Sequence, residues 1–303
     1  MQIDYSIIVP VYNSVESLGQ IFVGVKTLME ELGKSYELIF VEDHGRSESW
    51  QELLRIRATD PEHIRIIRLA KNFGQNGATL CGIDQAAGDR VITIDDDLQV
   101  MPAEISKLIA FQNEFETDVI YGIFPAQKNA WLRRVGSKGM KRIFGGRDGK
   151  APIGSSFRLI NSHIVSQLKN HSQDHLFINQ VITWYTQDIR QIEVEHNPRM
   201  EGQSGYSLWS LILLSLRLMI YYTSIPIKIM IFLSICTAVG IVGLIFYYIY
   251  YQMEHGGMVD LFMITVLLSM AIISASISVF GVYINRIYSA RVKRPNYSIK
   301  IKL

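Results

Sequence analysis

The sequence is poor in cysteine and carries little net charge for its length. Its 303 residues include two cysteines, Cys81 and Cys236, and its formal net charge is +2. Because one cysteine lies in a helix-like run and the other in an apolar run, a disulfide framework and a cysteine-rich metal knuckle are excluded. A charge balance this close to neutral predicts that the protein has no nucleic-acid partner.

The start of the chain also lacks the pattern of a secretory signal peptide, in which a basic segment precedes an apolar one. Residues 6–11 are instead typical of a buried strand, so we expect the N-terminal part to stay in the cytosol. Hydrophobic residues are abundant, at 49% of the total, and the mean hydropathy is +0.16. This composition suits one soluble domain followed by a membrane portion.

Short β-branched runs alternate with helix-like segments up to about Asn129. The strand candidates are residues 6–11, 37–42, 64–69, 90–94 and 118–121. The segments between them have apolar residues at helical spacing and cover 14–32, 47–58, 74–87 and 103–115. This alternation predicts an α/β domain with a mostly parallel sheet. In such folds ligands bind at the carboxyl ends of the strands.

The second half of the chain predicts a membrane portion. Two apolar stretches, at about 229–251 and 261–284, exceed the roughly 20 residues that cross a bilayer as a helix. The connector between them lacks Lys and Arg, whereas the tail is basic, which predicts that both termini are cytoplasmic. The alternative is a pair of buried core helices. We therefore divide the chain into an α/β domain at 1–206, an interfacial amphipathic helix region at 207–226, and two transmembrane helices with a basic cytosolic tail at 227–303.

The strongest local pattern follows the fourth strand candidate, where Asp95, Asp96 and Asp97 are consecutive. Alternate residues of an extended chain point the same way, so Asp95 and Asp97 can share one face. Two such close negative charges repel unless a cation lies between them, and oxygen ligands select Mg²⁺ or Mn²⁺. The pattern predicts a divalent-metal site that Gln99 can complete. The alternative is an acidic turn that caps the next helix.

Polar residues also follow the other strand candidates at the same predicted edge. Tyr12 and Asn13 follow the first strand, Asp43 follows the second, and Asn72 follows the third. Helix N-capping explains any one of these groups. Their presence at successive strand ends favours a lined pocket.

These motifs, at residues 8–13, 41–43, 72–74 and 95–99, resemble those of family 2 glycosyltransferases with the Rossmann-like GT-A fold. Within that family the chain is similar to bactoprenol-phosphate glucosyltransferases and dolichol-phosphate mannose synthases. The similarity extends over nearly the whole chain, including residues 157–159, the loop at 199–206 and the two apolar stretches.

The resemblance implies roles for the residues that match the family's motifs. A nucleotide would be lined by Pro10, Tyr12, Asn13, Glu16, Asp43, Asn72 and Asp96. Mg²⁺ or Mn²⁺ on the donor diphosphate would be bound by Asp95, Asp97 and Gln99. Donor or acceptor phosphates would be met by Arg158 and Arg199, with Ser204 and Tyr206 assigned to the acceptor.

The chain departs from the family pattern at Ser156, where relatives have an acid, at Gly205, where they have Lys or Arg, and at His44. The basic tract at 128–150 has two interpretations. It is a solvated helix face, or it lies against anionic headgroups and the acceptor phosphate. We favour the second, which involves Arg133, Arg134 and Lys138.

The resemblance implies an inverting, metal-dependent transfer of a monosaccharide from a UDP- or GDP-sugar to undecaprenyl or dolichyl phosphate. Such an acceptor is largely ionised at pH 7, so it needs no general base. The alternatives are a transferase acting on a lipid-linked sugar or a glycerolipid, and an inactive membrane scaffold. We expect an integral protein of the bacterial inner membrane, in contact with membrane lipids, with its catalytic domain in the cytoplasm. The sequence leaves a homo-oligomer open.

Overall fold

The computed structural model describes residues 3–124, 155–170, 178–195, 197, 225–255, 260–292 and 295–303. The chain forms two compact units. The first comprises Met1–Gln203 together with Lys293–Leu303, and the second is Ser204–Val292.

The first unit is built on an eight-stranded sheet. Its strands are β1 (Tyr5–Val11), β2 (Tyr36–Glu42), β3 (Ile64–Leu69), β4 (Arg90–Thr93), β5 (Val119–Ile123), β6 (Arg158–Ile160), β7 (Ile189–Glu193) and β8 (Ile299–Lys302). They lie in the order β7-β5-β6-β4-β1-β2-β3-β8. The pairs β1–β2, β1–β4, β2–β3 and β5–β7 are parallel, whereas β6 and β8 run antiparallel to their neighbours. The prediction of an α/β fold with a mostly parallel sheet is confirmed.

Every residue of β1 and β2 is buried because helices cover both faces of the sheet. In β1, Ile7 and Val9 point into one hydrophobic core and Ile8 into the other. The first core is closed by α1 (Glu16–Leu32), α2 (Ser47–Thr59) and α4 (Ile105–Phe115), which a 3₁₀ turn at Pro102–Glu104 precedes. The second is closed by α3 (Gln75–Gln85), α5 (Ser162–Lys169) and α6 (Ile178–Tyr185).

The last strand, β8, completes the sheet from the far end of the chain. It pairs antiparallel with β3, and Ile67 lies opposite Lys302. Just before β8, the Tyr297 hydroxyl donates to Oδ2 of Asp84 on α3 across 2.7 Å. These residues, which the sequence predicts as part of a basic cytosolic tail, form an edge strand of the first unit.

The second unit contains two long helices, α7 (Ile225–His255) and α8 (Asp260–Val292). Within the described residues, α8 has the one stretch that is long and apolar enough to span a bilayer, Leu268–Asn285. The apolar stretch of α7, Ile227–Gly243, is shorter. Both predicted spans are thus helical, but the prediction of two transmembrane helices is not confirmed. Most of the predicted interfacial region, 207–224, lies outside the described residues.

Candidate active site

An acidic turn follows β4 at the carboxyl edge of the sheet. Residues 95–97 are all aspartates, and the chain turns directly after them. Leu98 has a φ of 55°, in the left-handed region that non-glycine residues rarely adopt. The N–H of Gln99 donates to Oδ1 of Asp97 across 3.2 Å, as in an Asx turn. The turn gathers carboxylates where ligands bind in parallel α/β sheets.

Asp96 connects this turn to the end of β1. Its Oδ2 accepts a hydrogen bond from the N–H of Tyr12 across 3.0 Å. Burial raises the pKa of Asp96 to about 6, although hydrogen bonds from Tyr12 and from the Ser14 side chain oppose the rise. The structure thus brings together Tyr12 and Asp96, which the sequence assigns to one nucleotide site. The assignment itself stays a prediction.

Asp95 is held by side chains from two other segments. Oγ of Ser156 donates to its Oδ2 across 2.5 Å, and Nε2 of Gln75 donates to its Oδ1 across 2.5 Å. Burial raises the pKa of Asp95; the Ser156 hydrogen bond lowers it, and the charge of Asp97 raises it. Neither donor is among the residues predicted for the site. The arrangement of the strands decides which carboxylate Ser156 and Gln75 contact. The spacing of these residues in the sequence does not predict that contact.

Arg158 lies on β6, opposite Thr93 of β4. It is 3% exposed, and its Nε donates to Oγ1 of Thr93 across 3.1 Å. Its guanidinium also donates to Oδ1 of Asn179 and faces the hydroxyl of Tyr121. Burial lowers the pKa of Arg158, and the charges of Tyr121 and Asp95 oppose this shift. The positive charge of Arg158 also acts on Asp95. The contact of Arg158 with substrate phosphates stays a prediction.

Asp43 holds the loop that follows β3. Its two carboxylate oxygens accept hydrogen bonds from the N–H groups of Phe73 and Gly74, each across 2.7 Å. Oδ1 of Asn72 also accepts from the N–H of Gly74, across 3.0 Å. Burial raises the pKa of Asp43, and the backbone donors oppose the rise. Asp43 therefore shapes the loop that leads to Gln75, and its contact with a nucleotide stays a prediction, as does that of Asn72.

Asn13 joins the loops that follow β1 and β2. Its Oδ1 accepts from the N–H of Arg46 across 2.8 Å, and its φ is 65°. A Cβ at Gly45 would lie 2.6 Å from this oxygen, so the close approach requires glycine. His44 has a φ of 52°. Left-handed non-glycine residues thus follow β1, β2 and β4, and clustered backbone strain is typical of binding sites.

The other predicted site residues are less informative. Pro10 is buried in β1, and Glu16 is exposed at the first position of α1. Their assignment to the nucleotide site stays a prediction. The predicted phosphate contacts that lie outside the described residues are Arg133, Arg134, Lys138, Arg199, Ser204 and Tyr206.

The oxygen donors of the acidic turn fit a divalent cation. Burial and the charge of Asp97 both raise the pKa of Asp95, and a bound cation would offset both effects. In the described part of the chain, no three His, Cys, Asp or Glu side chains converge as metal ligands. Mg²⁺-type ions nevertheless bind through one or two carboxylates together with water and substrate phosphates. Asp95, Asp97 and the amide of Gln99 are sufficient for that mode.

A family model matches the part of the chain that contains the acidic turn. The model described as "Glycosyl transferase family 2" matches residues 6–171, more than half of the chain. The chain belongs to glycosyl transferase family 2. It is therefore a glycosyltransferase, and the GT-A fold implied by the resemblance is confirmed. The family match spans β1 to α5 and includes the whole acidic turn.

Several solved structures resemble this family member. Glucosyl-3-phosphoglycerate synthase from Mycobacterium tuberculosis, in complex with phosphoglyceric acid, is 12% identical with a TM-score of 0.49, over 66% of this chain and 73% of that chain. The same synthase is also known with Mn²⁺, UDP-glucose and phosphoglyceric acid, with a TM-score of 0.49 over 66% of this chain and 72% of that one. S. aureus TarS 1–349 in complex with UDP-GlcNAc is 18% identical with a TM-score of 0.48, over 72% of this chain and 66% of that one.

Proposed function

We propose that this glycosyltransferase moves a monosaccharide from a nucleotide-diphosphate sugar to undecaprenyl or dolichyl phosphate, with inversion at the anomeric carbon. One observation carries the proposal. A family 2 domain with clustered carboxylates at the edge of its sheet is followed in the same chain by an apolar helix long enough to span a bilayer. This combination suits a water-soluble donor and a membrane-bound acceptor.

The donor would bind at the acidic turn. Asp95, Asp97 and Gln99 are the residues that would hold Mg²⁺ or Mn²⁺, while Tyr12 and Asp96 lie where the nucleoside would be. When bound, the cation supplies stabilisation of the negative charge that develops on the leaving nucleotide diphosphate.

A phosphate acceptor fits the lack of an acid at position 156. A hydroxyl acceptor would require a general base to remove its proton. A lipid phosphate, with a second pKa of about 6, is already ionised at neutral pH. Ser156 donates to Asp95 across 2.5 Å and offers no base. Single displacement by the phosphate oxygen would invert the anomeric centre.

The acceptor phosphate would be met by Arg199, Ser204 and Tyr206, and by the basic residues Arg133, Arg134 and Lys138. The N–H of Asn197 donates to the carbonyl of Gln99 across 2.9 Å. This bond links Asn197 to the acidic turn. Arg199 is two residues further along the chain. Basic residues near an anionic bilayer contribute about 1 kcal/mol each to its binding.

The connectivity of the sheet supports two membrane crossings. The chain leaves the first unit at Gln203 and rejoins it at Lys293, and β8 pairs with β3. All strands of one sheet lie on the same side of a membrane. The chain between Gln203 and Lys293 must therefore cross the membrane an even number of times. If Leu268–Asn285 crosses, α7 is the described helix that can provide the return. Both termini would then be cytoplasmic, with α7 and α8 in the bilayer.

The test is transfer by the purified full-length protein. It is supplied with UDP- and GDP-sugars, Mg²⁺ or Mn²⁺, and undecaprenyl phosphate, diacylglycerol or a lipid-linked sugar, and the lipids are analysed by mass spectrometry. A glycosylated polyprenyl phosphate is the expected product, whereas transfer only to another lipid would replace the proposed acceptor. An inactive scaffold predicts no product, with no difference between the wild type and Asp97→Asn. NMR of the product should show an inverted anomeric centre, and a retained one would refute single displacement.

A further inference from the structure

We propose that Ser156 and Gln75 are positioning residues for the metal site. They fix the carboxylate of Asp95 so that each of its oxygens keeps a lone pair for the divalent cation. The inference rests on the proposed function, because it takes Asp95 as a metal ligand. It adds two residues that the family motifs do not assign.

The geometry is symmetrical about the carboxylate. Ser156 donates to Oδ2 and Gln75 donates to Oδ1, both across 2.5 Å. An ionised carboxylate has about four lone-pair positions, two on each oxygen. One donor on each oxygen fixes the plane of the group and leaves one position free on each side. Rotation of the Asp95 side chain would break both bonds.

Each donor is itself fixed by the fold. Ser156 lies just before β6, and its carbonyl accepts a hydrogen bond from Oγ1 of Thr93 on β4. Gln75 is the first residue of α3, and its carbonyl accepts from Oγ1 of Thr79 across 2.8 Å. The preceding Gly74 is held by Asp43. The two side chains therefore come from anchored backbone on opposite sides of Asp95.

Both donors are uncharged, which matters for binding a cation. Hydrogen bonds from a hydroxyl and an amide orient the carboxylate without cancelling its charge. A Lys or Arg side chain in direct contact would compete with the metal. The basic group whose charge acts on Asp95 is Arg158, which is buried and bonded to Thr93 and Asn179. The arrangement therefore orients Asp95 through neutral donors alone.

The competing interpretation is that the two donors only satisfy a buried carboxylate. Both interpretations predict some loss of stability when a donor is removed. Only the positioning role predicts weaker metal binding, since residues that orient metal ligands typically contribute about 10- to 100-fold to affinity.

The experiment measures Mn²⁺ binding to the full-length protein in detergent, with and without UDP, from the EPR signal of free Mn²⁺. Ser156→Ala removes the hydroxyl, and Gln75→Met keeps the side-chain length without the amide. Each should raise the Kd for Mn²⁺ by about 10- to 100-fold. Ser156→Thr retains the hydroxyl and should restore binding.

Ser155→Ala is the matched control. The Ser155 hydroxyl accepts from the N–H of Phe157 across 3.1 Å at the same strand start, with no bond to Asp95 in the structure. It should leave the Kd for Mn²⁺ unchanged. Wild-type Mn²⁺ affinity in Ser156→Ala and Gln75→Met, with or without a lower Tm, would overturn the proposal. So would wild-type protein that binds no Mn²⁺. Normal Mn²⁺ binding without transfer to polyprenyl phosphate would instead refute the proposed function and leave the positioning role standing.

Discussion

Buried carboxylates occur at both ends of the sheet, but they are compensated in different ways. Where the strands begin, Glu37 accepts hydrogen bonds from the Ser6 hydroxyl, the Ala87 N–H and the guanidinium of Arg65, across 2.6, 2.6 and 2.7 Å. Where the strands finish, Asp95 is held by the neutral side chains of a serine and a glutamine. Glu37 thus has a cation in direct contact, whereas both oxygens of Asp95 accept from neutral donors.

The pKa values of Asp60 and Asp96 show a similar contrast. Burial alone would raise the pKa of Asp60, but hydrogen bonds from His63 and Lys26 outweigh it and lower the pKa below 3.8. At the other end, burial raises the pKa of Asp96 to about 6. Paired carboxylates at the first end hold the sheet together. Asp95, Asp96 and Asp97 repel one another at the second end, and a bound cation would reduce that repulsion.

The largest expected effect is on stability at the beginning of the strands. Glu37→Ala leaves the partly buried Arg65 without its anion and should lower the free energy of unfolding by about 3–5 kcal/mol. Urea denaturation followed by tryptophan fluorescence measures it. The exposed Glu31 provides the control, since Glu31→Ala should change the free energy by no more than about 0.5 kcal/mol. Equal losses in the two variants would show that Glu37 is not the anchor described.

The opposite result is expected where the strands finish. Asp95→Asn should lower the transfer rate by about 10²- to 10³-fold, as the loss of one electrostatic contact to a transition state does. Its Tm should fall less than that of Glu37→Ala, because burial and Asp97 disfavour the charge of Asp95, although Asn keeps only one of the two acceptor oxygens that Ser156 and Gln75 use. Activity assays and thermal melts of one preparation measure both. The exposed Asp188, changed to Asn, should alter neither. If Asp95→Asn had a lower Tm and full activity, Asp95 would serve stability, as Glu37 does, and not transfer.

Gly45→Ala tests the loop geometry of the carboxylate-rich end. The added Cβ would lie 2.6 Å from Oδ1 of Asn13, and relieving the clash should cost about 1–3 kcal/mol of stability. Nucleotide affinity should fall with it, measured by calorimetry. Gly19, inside α1, has nothing within 4 Å of an added Cβ. Gly19→Ala should therefore be neutral or stabilise the protein by up to about 1 kcal/mol.

The smallest effect concerns pH. Because the pKa of Asp60 is lower in the folded protein than 3.8, its contribution to stability is present above that pH and is lost as the pH falls below it. The Tm of Asp60→Asn should be about 1–4 °C below that of the wild type at pH 7. The difference should shrink as thermal melts are repeated from pH 5 to pH 3. A difference that is constant over this range would exclude the ion pairs as its source.

Much of the sheet could be predicted from sequence because its central strands are fully buried. The bounds of β3 are those predicted, since its residues, Ile-Arg-Ile-Ile-Arg-Leu, are rich in β-branched side chains and lie between turn residues. β8 could not be predicted. Its residues, Ile-Lys-Ile-Lys, are charged at every second position, as edge strands often are, and beside other basic residues this pattern is also that of a solvated tail.

The candidate site also contains residues that could be predicted from sequence and residues that could not. The acidic turn is a contiguous motif, so sequence alone identifies Asp95 and Asp97. Gln75 and Ser156 reach Asp95 from positions 20 and 61 residues away, and only the folded sheet brings them together. Arg158 matches a family motif, but the motif does not reveal that the side chain is enclosed by Thr93 and Asn179.

The position of β8 limits how a water-soluble version of the enzyme can be produced. Stopping the chain at Gln203 would also delete the partner of β3, and the bare edge, with Ile67 and Leu69, would be free to pair with other molecules and precipitate. A shortened gene should therefore delete 204–292 internally and join the flanking segments through a flexible glycine-serine bridge. Such a product keeps all eight strands and is the form best suited to crystallisation with a nucleotide sugar.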